Sequence, residues 1–177
     1  MATTKWTLDP THAEIQFKIR HMMVSTVTGS FGKFDATIET TDDNFETAKI
    51  SFTAEIDSIT TNNAQRDGHL KSADFFEHEK FPTLSFKSTK FEKISGESYT
   101  LHGDLTLHGV TKNIQLTVEH GGVVKDPYGF TRTGFGIEGK IDRKDFNLSW
   151  NGPLDNGGVV LSNEVKIHAN VEFTKQA

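Results

Sequence analysis

AKISFTAEI, residues 48–56, alternates apolar and polar side chains without a fault: Ala48, Ile50, Phe52, Ala54 and Ile56 share one face, and Lys49, Ser51, Thr53 and Glu55 share the other. A two-residue period of this kind is the signature of a half-buried β-strand. The same period groups Ile15, Phe17 and Ile19, then Phe34, Ala36 and Ile38, then Leu84 with Phe86. Downstream it groups Tyr99, Leu101, Leu105 and Leu107; Ile114, Leu116 and Val118; Phe135, Ile137 and Ile141; and Val165, Ile167, Ala169, Val171 and Phe173. The pattern predicts about eight strands.

Turn chemistry separates them. Ser95-Gly96-Glu97-Ser98, Asp126-Pro127-Tyr128-Gly129 and Asn156-Gly157-Gly158 each interrupt the alternation. His108-Gly109-Val110-Thr111 reads as a two-residue hairpin loop of type II′, with Gly109 supplying the positive φ at the first central position. Residues 60–76 break the alternation for longest. Asn62 followed by Gln65 resembles a capping box, predicting a short helix over 63–71 that Gly68 weakens by about 1 kcal/mol relative to alanine. A second single turn is expected from Asp142 to Asp145, and a long loop over 150–163. Eight antiparallel strands joined by short turns avoid open edges by closing into a barrel, with a sandwich as the alternative. The expected fold is all-β: one domain over residues 1–177, an extended eight-stranded antiparallel barrel with one or two short helices.

Composition sets limits on function. A net charge of −5 and a pI near 5.9 argue against a nucleic-acid partner, which would call for a basic face. The lack of cysteine removes disulfides, thiol catalysis and thiolate metal sites. MATTKWTLDP has no apolar core of secretory-signal type, which points to the cytoplasm, and no stretch reaches the apolar length of a spanning helix. The 14 Phe against 2 Tyr and 2 Trp supply large apolar area with no polar atom to satisfy, which suits a dry interior.

Catalytic and metal patterns are weak. His102 and His108 lie about 20 Å apart along one strand, and His78-Glu79-Lys80 has no second histidine at helical spacing, so no metal site and no cofactor is expected. Asp67 with Asp74 and Asp142 with Asp145 stand beside Arg66, Lys71, Arg143 and Lys144, where ion pairing explains them. No Gly-x-Ser-x-Gly elbow or phosphate-binding glycine loop occurs. GFGIEG at 134–139 sits inside an alternating strand, where its glycines indicate a bulge or close backbone approach. The informative segment is RDGHLKSADFF, residues 66–76. In a ligand-binding reading, Arg66, His69 and Lys71 meet a polar head group while Leu70, Phe75 and Phe76 face the apolar end. In a structural reading the phenylalanines complete the core and Arg66 pairs with Asp67 or Asp74.

Several stretches together resemble the YceI-like family of lipocalin-like, polyisoprenoid-binding proteins: Trp6 to His12, FKIRH from Phe17, Thr28 to Phe34, Arg66 to Phe76, Gly103 to Lys112, Ile141 to Phe146, and Asn163-Glu164-Val165. The resemblance implies an eight-stranded barrel that holds a long isoprenoid or fatty-acid-like amphiphile, a homodimer, and no established reaction. The expected role is therefore binding, transport or storage of a lipid such as a prenyl diphosphate or prenylated quinone. The residues nominated are Phe17, Ile19, Phe31, Phe34, Ile38, Phe52, Phe75, Phe76 and Phe86 for the tail, with Arg66, His69 and Arg143 near the head; parity supports the strand positions alone. The alternatives are a hydrolase or isomerase acting through His69 and a nearby Asp, and a stress-related module that recognises another protein through a filled interior.

Overall fold

The computed structural model describes residues 2–22, 24–151 and 160–176. Its strands are β1 (Thr3–Leu8), β2 (Glu14–His21), β3 (Ser25–Phe31), β4 (Phe34–Thr41), β5 (Asn44–Glu55), β6 (Ile59–Thr60), β7 (Thr83–Ser95), β8 (Ser98–Leu107), β9 (Val110–Lys125), β10 (Thr131–Asp142) and β11 (Leu161–Lys175), with one α-helix, α1 (Ala64–Lys71). Every pairing is antiparallel. β1, β4, β5, β7, β8, β9, β10 and β11 form a ring that β1 closes against β11. β2, β3 and β6 prolong it beyond β11.

Three breaks explain how eight long rods become eleven strands. β1 and β2 both run along β11, at Trp6–Leu8 and at Glu14–His21, and are parted by a 3-10 turn at Pro10–His12. Pro10 cannot donate to a ladder, and the Asp9 carboxylate caps the turn by accepting from the Thr11 amide at 3.0 Å. β3 and β4 are parted at residues 32–33, and β5 and β6 by the turn Ile56–Ser58. The result is a simple meander of eight extended rods, and the sandwich alternative falls away because no edge of the eight-strand ring is left open.

Local chemistry departs from the expectations at four points. Asn63, not Asn62, caps α1: its Oδ1 accepts from the Arg66 amide at 3.0 Å, while Asn62 takes a positive φ of 62°. The β8–β9 loop has positive φ at both central residues, His108 (54°) and Gly109 (75°), which makes it type I′ with Gly109 second, the turn whose twist matches a right-twisted hairpin. The second helical turn spans Arg143–Phe146, with Asp142 as its cap. β11 already begins at Leu161, so the loop expected to reach 163 ends sooner; Asn156-Gly157-Gly158 lies outside the described residues.

Inner faces alternate as the period demands. In β8 every second residue from Tyr99 to Leu107 is buried. Gly103 provides the gap: a Cβ there would lie 2.2 Å from the Phe86 ring and 2.6 Å from the Lys87 carbonyl oxygen, so the ring of β7 occupies the place of a missing side chain on β8.

Candidate functional site

The inward phenylalanines do not fill the barrel. A cavity of about 370 Å³ remains, within the range of small-molecule sites. Apart from Arg66, His69, Arg143, His21 and Gln16, its walls are apolar, and they include Ile15, Val27, Ile50, Leu105, Ile137 and Ile167. Phe17, Ile19, Phe31, Ile38, Phe52, Phe75, Phe76 and Phe86 line it, as do Arg66, His69 and Arg143. Phe34 does not. It shares a face with Ala36 and Ile38, but it sits where β4 begins, opposite Ala54, and its ring packs on Phe52 at 6.0 Å. Parity fixes a residue's face and not its level along the barrel.

The 66–76 segment covers one end. α1 carries Arg66, His69 and Leu70, and the turn after it carries Phe75, which is buried, and Phe76, which is half-buried. The Phe76 amide donates to the Leu70 carbonyl at 2.9 Å, which folds the two phenylalanines back under the helix. Arg66 takes neither of the acidic partners weighed for it. Its Nε and Nη2 donate to the Thr61 hydroxyl and carbonyl, both at 2.8 Å, while Asp67 Oδ1 accepts from the Thr61 amide and hydroxyl at 2.8 and 2.6 Å. Asp74 belongs to His69, with Nε2 and Oδ2 at 2.8 Å. Lys71 is absent from the cavity wall and reaches Asp57 at 3.3 Å.

Trp150 joins this lid to the barrel and was not visible in the sequence pattern. Its ring packs edge-on against His69 (5.0 Å) and lies 5.2 Å from Phe75. Arg143 holds it there. That side chain is 3% exposed, and its guanidinium donates from Nε to Ser162 O (2.9 Å) and from Nη1 to Leu148 O (2.5 Å) and Trp150 O (2.8 Å). Nη2 is buried, and among the described residues it has no hydrogen-bond partner and no carboxylate within ion-pairing distance. Desolvation lowers the Arg143 pKa below its usual value, against a smaller opposing pull from Asp142. Arg143 thus places a cation beside an apolar chamber, with one N–H that no group among the described residues accepts.

At the opposite end the chamber stops on a layer of buried side chains. His120 Nε2 lies 2.6 Å from Thr133 Oγ1, which donates to Gly122 O at 2.8 Å, so the network assigns the imidazole proton to Nε2. Phe45 and Tyr99 pack against it, and Trp6 packs on Phe45.

Outside the cavity, Asp9, His12 and Glu172 bring possible metal-ligand atoms within 4.8 Å of one another. Arg132 already occupies the cluster: Nη1 reaches Asp9 (2.9 Å) and Glu172 (3.3 Å), and Nε reaches Asp126 (2.7 Å). The arrangement is an ion-pair clasp between the β1–β2 break, β11 and the β9–β10 hairpin. Hydrogen bonds from Thr11 and then His12 hold the Asp9 carboxyl well below the usual carboxylate range, and Asp9 first, then Glu172, raises the His12 pKa. Among the described residues no helix is long and apolar enough to cross a membrane.

A closed meander barrel with an apolar chamber under a helical lid defines a lipocalin-like barrel built around an interior cavity. Comparison with known proteins narrows this class. A profile of the YceI-like domain matches residues 6–173, and the chain belongs to the YceI-like family. It is 39% identical over 174 residues to the UPF0312 protein SAS2572 of Staphylococcus aureus, covering 97% of this chain and 98% of that one. The Campylobacter jejuni YCEI protein superposes with a TM-score of 0.78 at 34% identity, covering 89% of this chain and 90% of that one. A polyisoprenoid binding domain from Saccharophagus degradans shares the fold at a TM-score of 0.69 and 16% identity, over 97% and 98% of the two chains.

Proposed function

We propose that the protein binds an amphiphilic lipid, an isoprenoid or similar long chain with an anionic head, with the tail inside the barrel and the head beside Arg143. The observation that carries this reading is the juxtaposition of an apolar cavity with the unpartnered Nη2 of a buried arginine. Burying ten methylene groups gives about 8 kcal/mol gross, which leaves useful affinity after the cost of association. A charge-assisted hydrogen bond from Nη2 adds about 1.5–3 kcal/mol, and this favours a prenyl diphosphate over an uncharged quinone. The polyisoprenoid-binding function named for the Saccharophagus degradans domain agrees with the tail chemistry. A carrier or storage role follows from a chamber that shields the tail from water.

The test titrates the protein with farnesyl diphosphate and with farnesol, following intrinsic fluorescence. Trp150 sits at the lid and is expected to report occupancy. Both are expected to bind, the diphosphate at least tenfold more tightly, and Arg143→Met is expected to erase that difference. Absence of binding by either lipid to the folded protein overturns the proposal. Extraction of lipid from protein purified from its own host identifies the natural cargo.

The His69–Asp74 contact of 2.8 Å favours one second reading, a lipid-directed hydrolase or isomerase using that pair. Incubation with labelled farnesyl diphosphate separates the two. Ligand recovered unchanged supports binding, and turnover abolished in His69→Ala supports the enzyme.

A further inference from the structure

On β4, β8, β9 and β10 the cavity ends between one inward residue and the next, whereas on β11 it reaches Phe173, the partner of Thr133. Val118 lines it and His120, two residues on, does not; the same step separates Leu101 from Tyr99, Phe135 from Thr133, and Ile38 from Thr40. Because inward side chains recur every second residue, these pairs mark the boundary between two successive layers, about 7 Å apart along the strands. The last layer with space above it contains Phe135 and Phe91, whose rings meet edge-on at 6.4 Å.

Phe135 is braced by its cross-strand neighbour on β9. Its ring stacks on His120 at 4.8 Å and 17°, and Phe45 meets it edge-on at 5.6 Å. The imidazole is itself fixed, since Thr133 accepts its proton and passes its own to Gly122 O. A polar group buried so deeply is costly unless bonded, and this bonded chain locks the plane on which Phe135 rests. The aromatic network thus makes a rigid floor rather than a deformable one.

Resting on the lipid-binding reading above, we infer that Phe135 is the specificity-determining residue for tail length, with His120 as the positioning residue that keeps its ring across the barrel. A tail entering from the lid extends until it meets that ring, and a longer one must leave its head short of Arg143 or its end outside. Loss of the ring frees the space it fills, room for about one further isoprene unit along a step of ~7 Å.

The experiment measures affinity for allylic diphosphates from geranyl to hexaprenyl. Wild type is expected to bind more tightly with each added unit up to a cut-off and then to weaken. Phe135→Ala is expected to move the cut-off at least one unit longer, with about a tenfold gain for the first length that wild type rejects. Val118→Phe, which adds a ring just above the floor, is expected to move it shorter and keeps the inference testable if Phe135→Ala fails to fold. Phe76→Ala at the lid is expected to weaken all lengths alike with the cut-off in place. Folded variants of Phe135 and Val118 that both retain the wild-type cut-off overturn the floor alone, as does wild-type binding with no cut-off. Wild-type binding of no length at all overturns the lipid reading and the floor together.

Discussion

Gly29→Ala separates a packed core from an open chamber. Gly29 lies on β3 opposite Phe17 of β2, and a Cβ built on it would lie 2.2 Å from Phe17 Cζ, with no atom outside that ring among the nearest three. Ordinary contact begins near 3.4 Å, so the ring must retreat by about 1.2 Å. In a filled interior such a displacement costs about 1–3 kcal/mol. Phe17 instead lines the cavity and has space to retreat into, so the expected loss of stability is below about 1 kcal/mol. The cost appears in binding. A ring advanced by that distance excludes one or two methylene groups of a tail, about 0.8–1.6 kcal/mol, which weakens affinity some four- to fifteenfold. Gly103→Ala is the contrast, because its Cβ would also meet a backbone atom, Lys87 O at 2.6 Å, which a rotating ring cannot relieve. Its expected cost is about 2–3 kcal/mol in stability. Urea denaturation and titration with farnesyl diphosphate read both quantities. Equal destabilisation by the two substitutions, or unchanged affinity in Gly29→Ala, refutes the claim that Phe17 borders open space.

Two further outcomes are expected. Arg143→Met removes three hydrogen bonds to carbonyls and relieves a desolvated cation; stranded carbonyls at about 1–3 kcal/mol each outweigh that relief, and a net loss of about 2–4 kcal/mol is expected in urea denaturation. A neutral or stabilising result shows that desolvation of the guanidinium dominates. For pH, burial lowers the His120 pKa against a weaker pull from Glu97, so the unfolded chain takes up that proton first and stability declines as pH falls through about 6.5 towards the folded value. His12, raised by Asp9 and Glu172, acts with the opposite sign: its contribution is complete below about 6.5 and is lost as pH rises through its folded pKa. Stability measured against pH in His120→Gln is expected to lose part of the acid-side decline, and in His12→Gln part of the alkaline-side decline. Curves unchanged in both variants contradict the assignment.

The parts legible in the sequence were those fixed by a local period. Alternation in 48–56 and its repeats placed the inward faces, because a strand's side chains can only point two ways. What the period does not encode is level. Phe34 and Ile38 share a face of β4, yet only Ile38 reaches the cavity. Trp150 was invisible for a different reason: its place depends on Arg143 gripping its carbonyl and on His69 and Phe75 from a segment some 75 residues earlier. The helix cap shows the same competition at short range. Asn62 and Asn63 are equivalent in propensity, and the bonds of Arg66 and Asp67 to Thr61 fix the chain so that Asn63 receives the Arg66 amide. At the β8–β9 turn a glycine was legible and its position was not, since His108 holds a positive φ while its Nδ1 meets Phe146 O at 3.1 Å and its ring packs on Phe81 at 4.9 Å.

The two ends of the chamber impose a direction on whatever occupies it. At the lid the wall has a half-exposed His69, an exposed Arg66 and, behind its surface, the unpartnered Nη2 of Arg143, so a charged group there keeps solvent on one side and a cation on the other. At the floor the polar atoms of His120 and Thr133 satisfy each other behind Phe135, so a charged group driven to that depth would meet the Phe135 and Phe91 rings and no cation. Desolvating an anion at the floor costs several kcal/mol with no opposite charge to offset it, whereas at the lid the guanidinium offsets it. An amphiphile therefore seats tail first, and reversing that orientation would require a cation at the base. Val118→Lys places one there, and it is expected to impair binding of farnesyl diphosphate rather than invert it, because the lid cations remain to hold the head and the lysine stem takes the space of the tail.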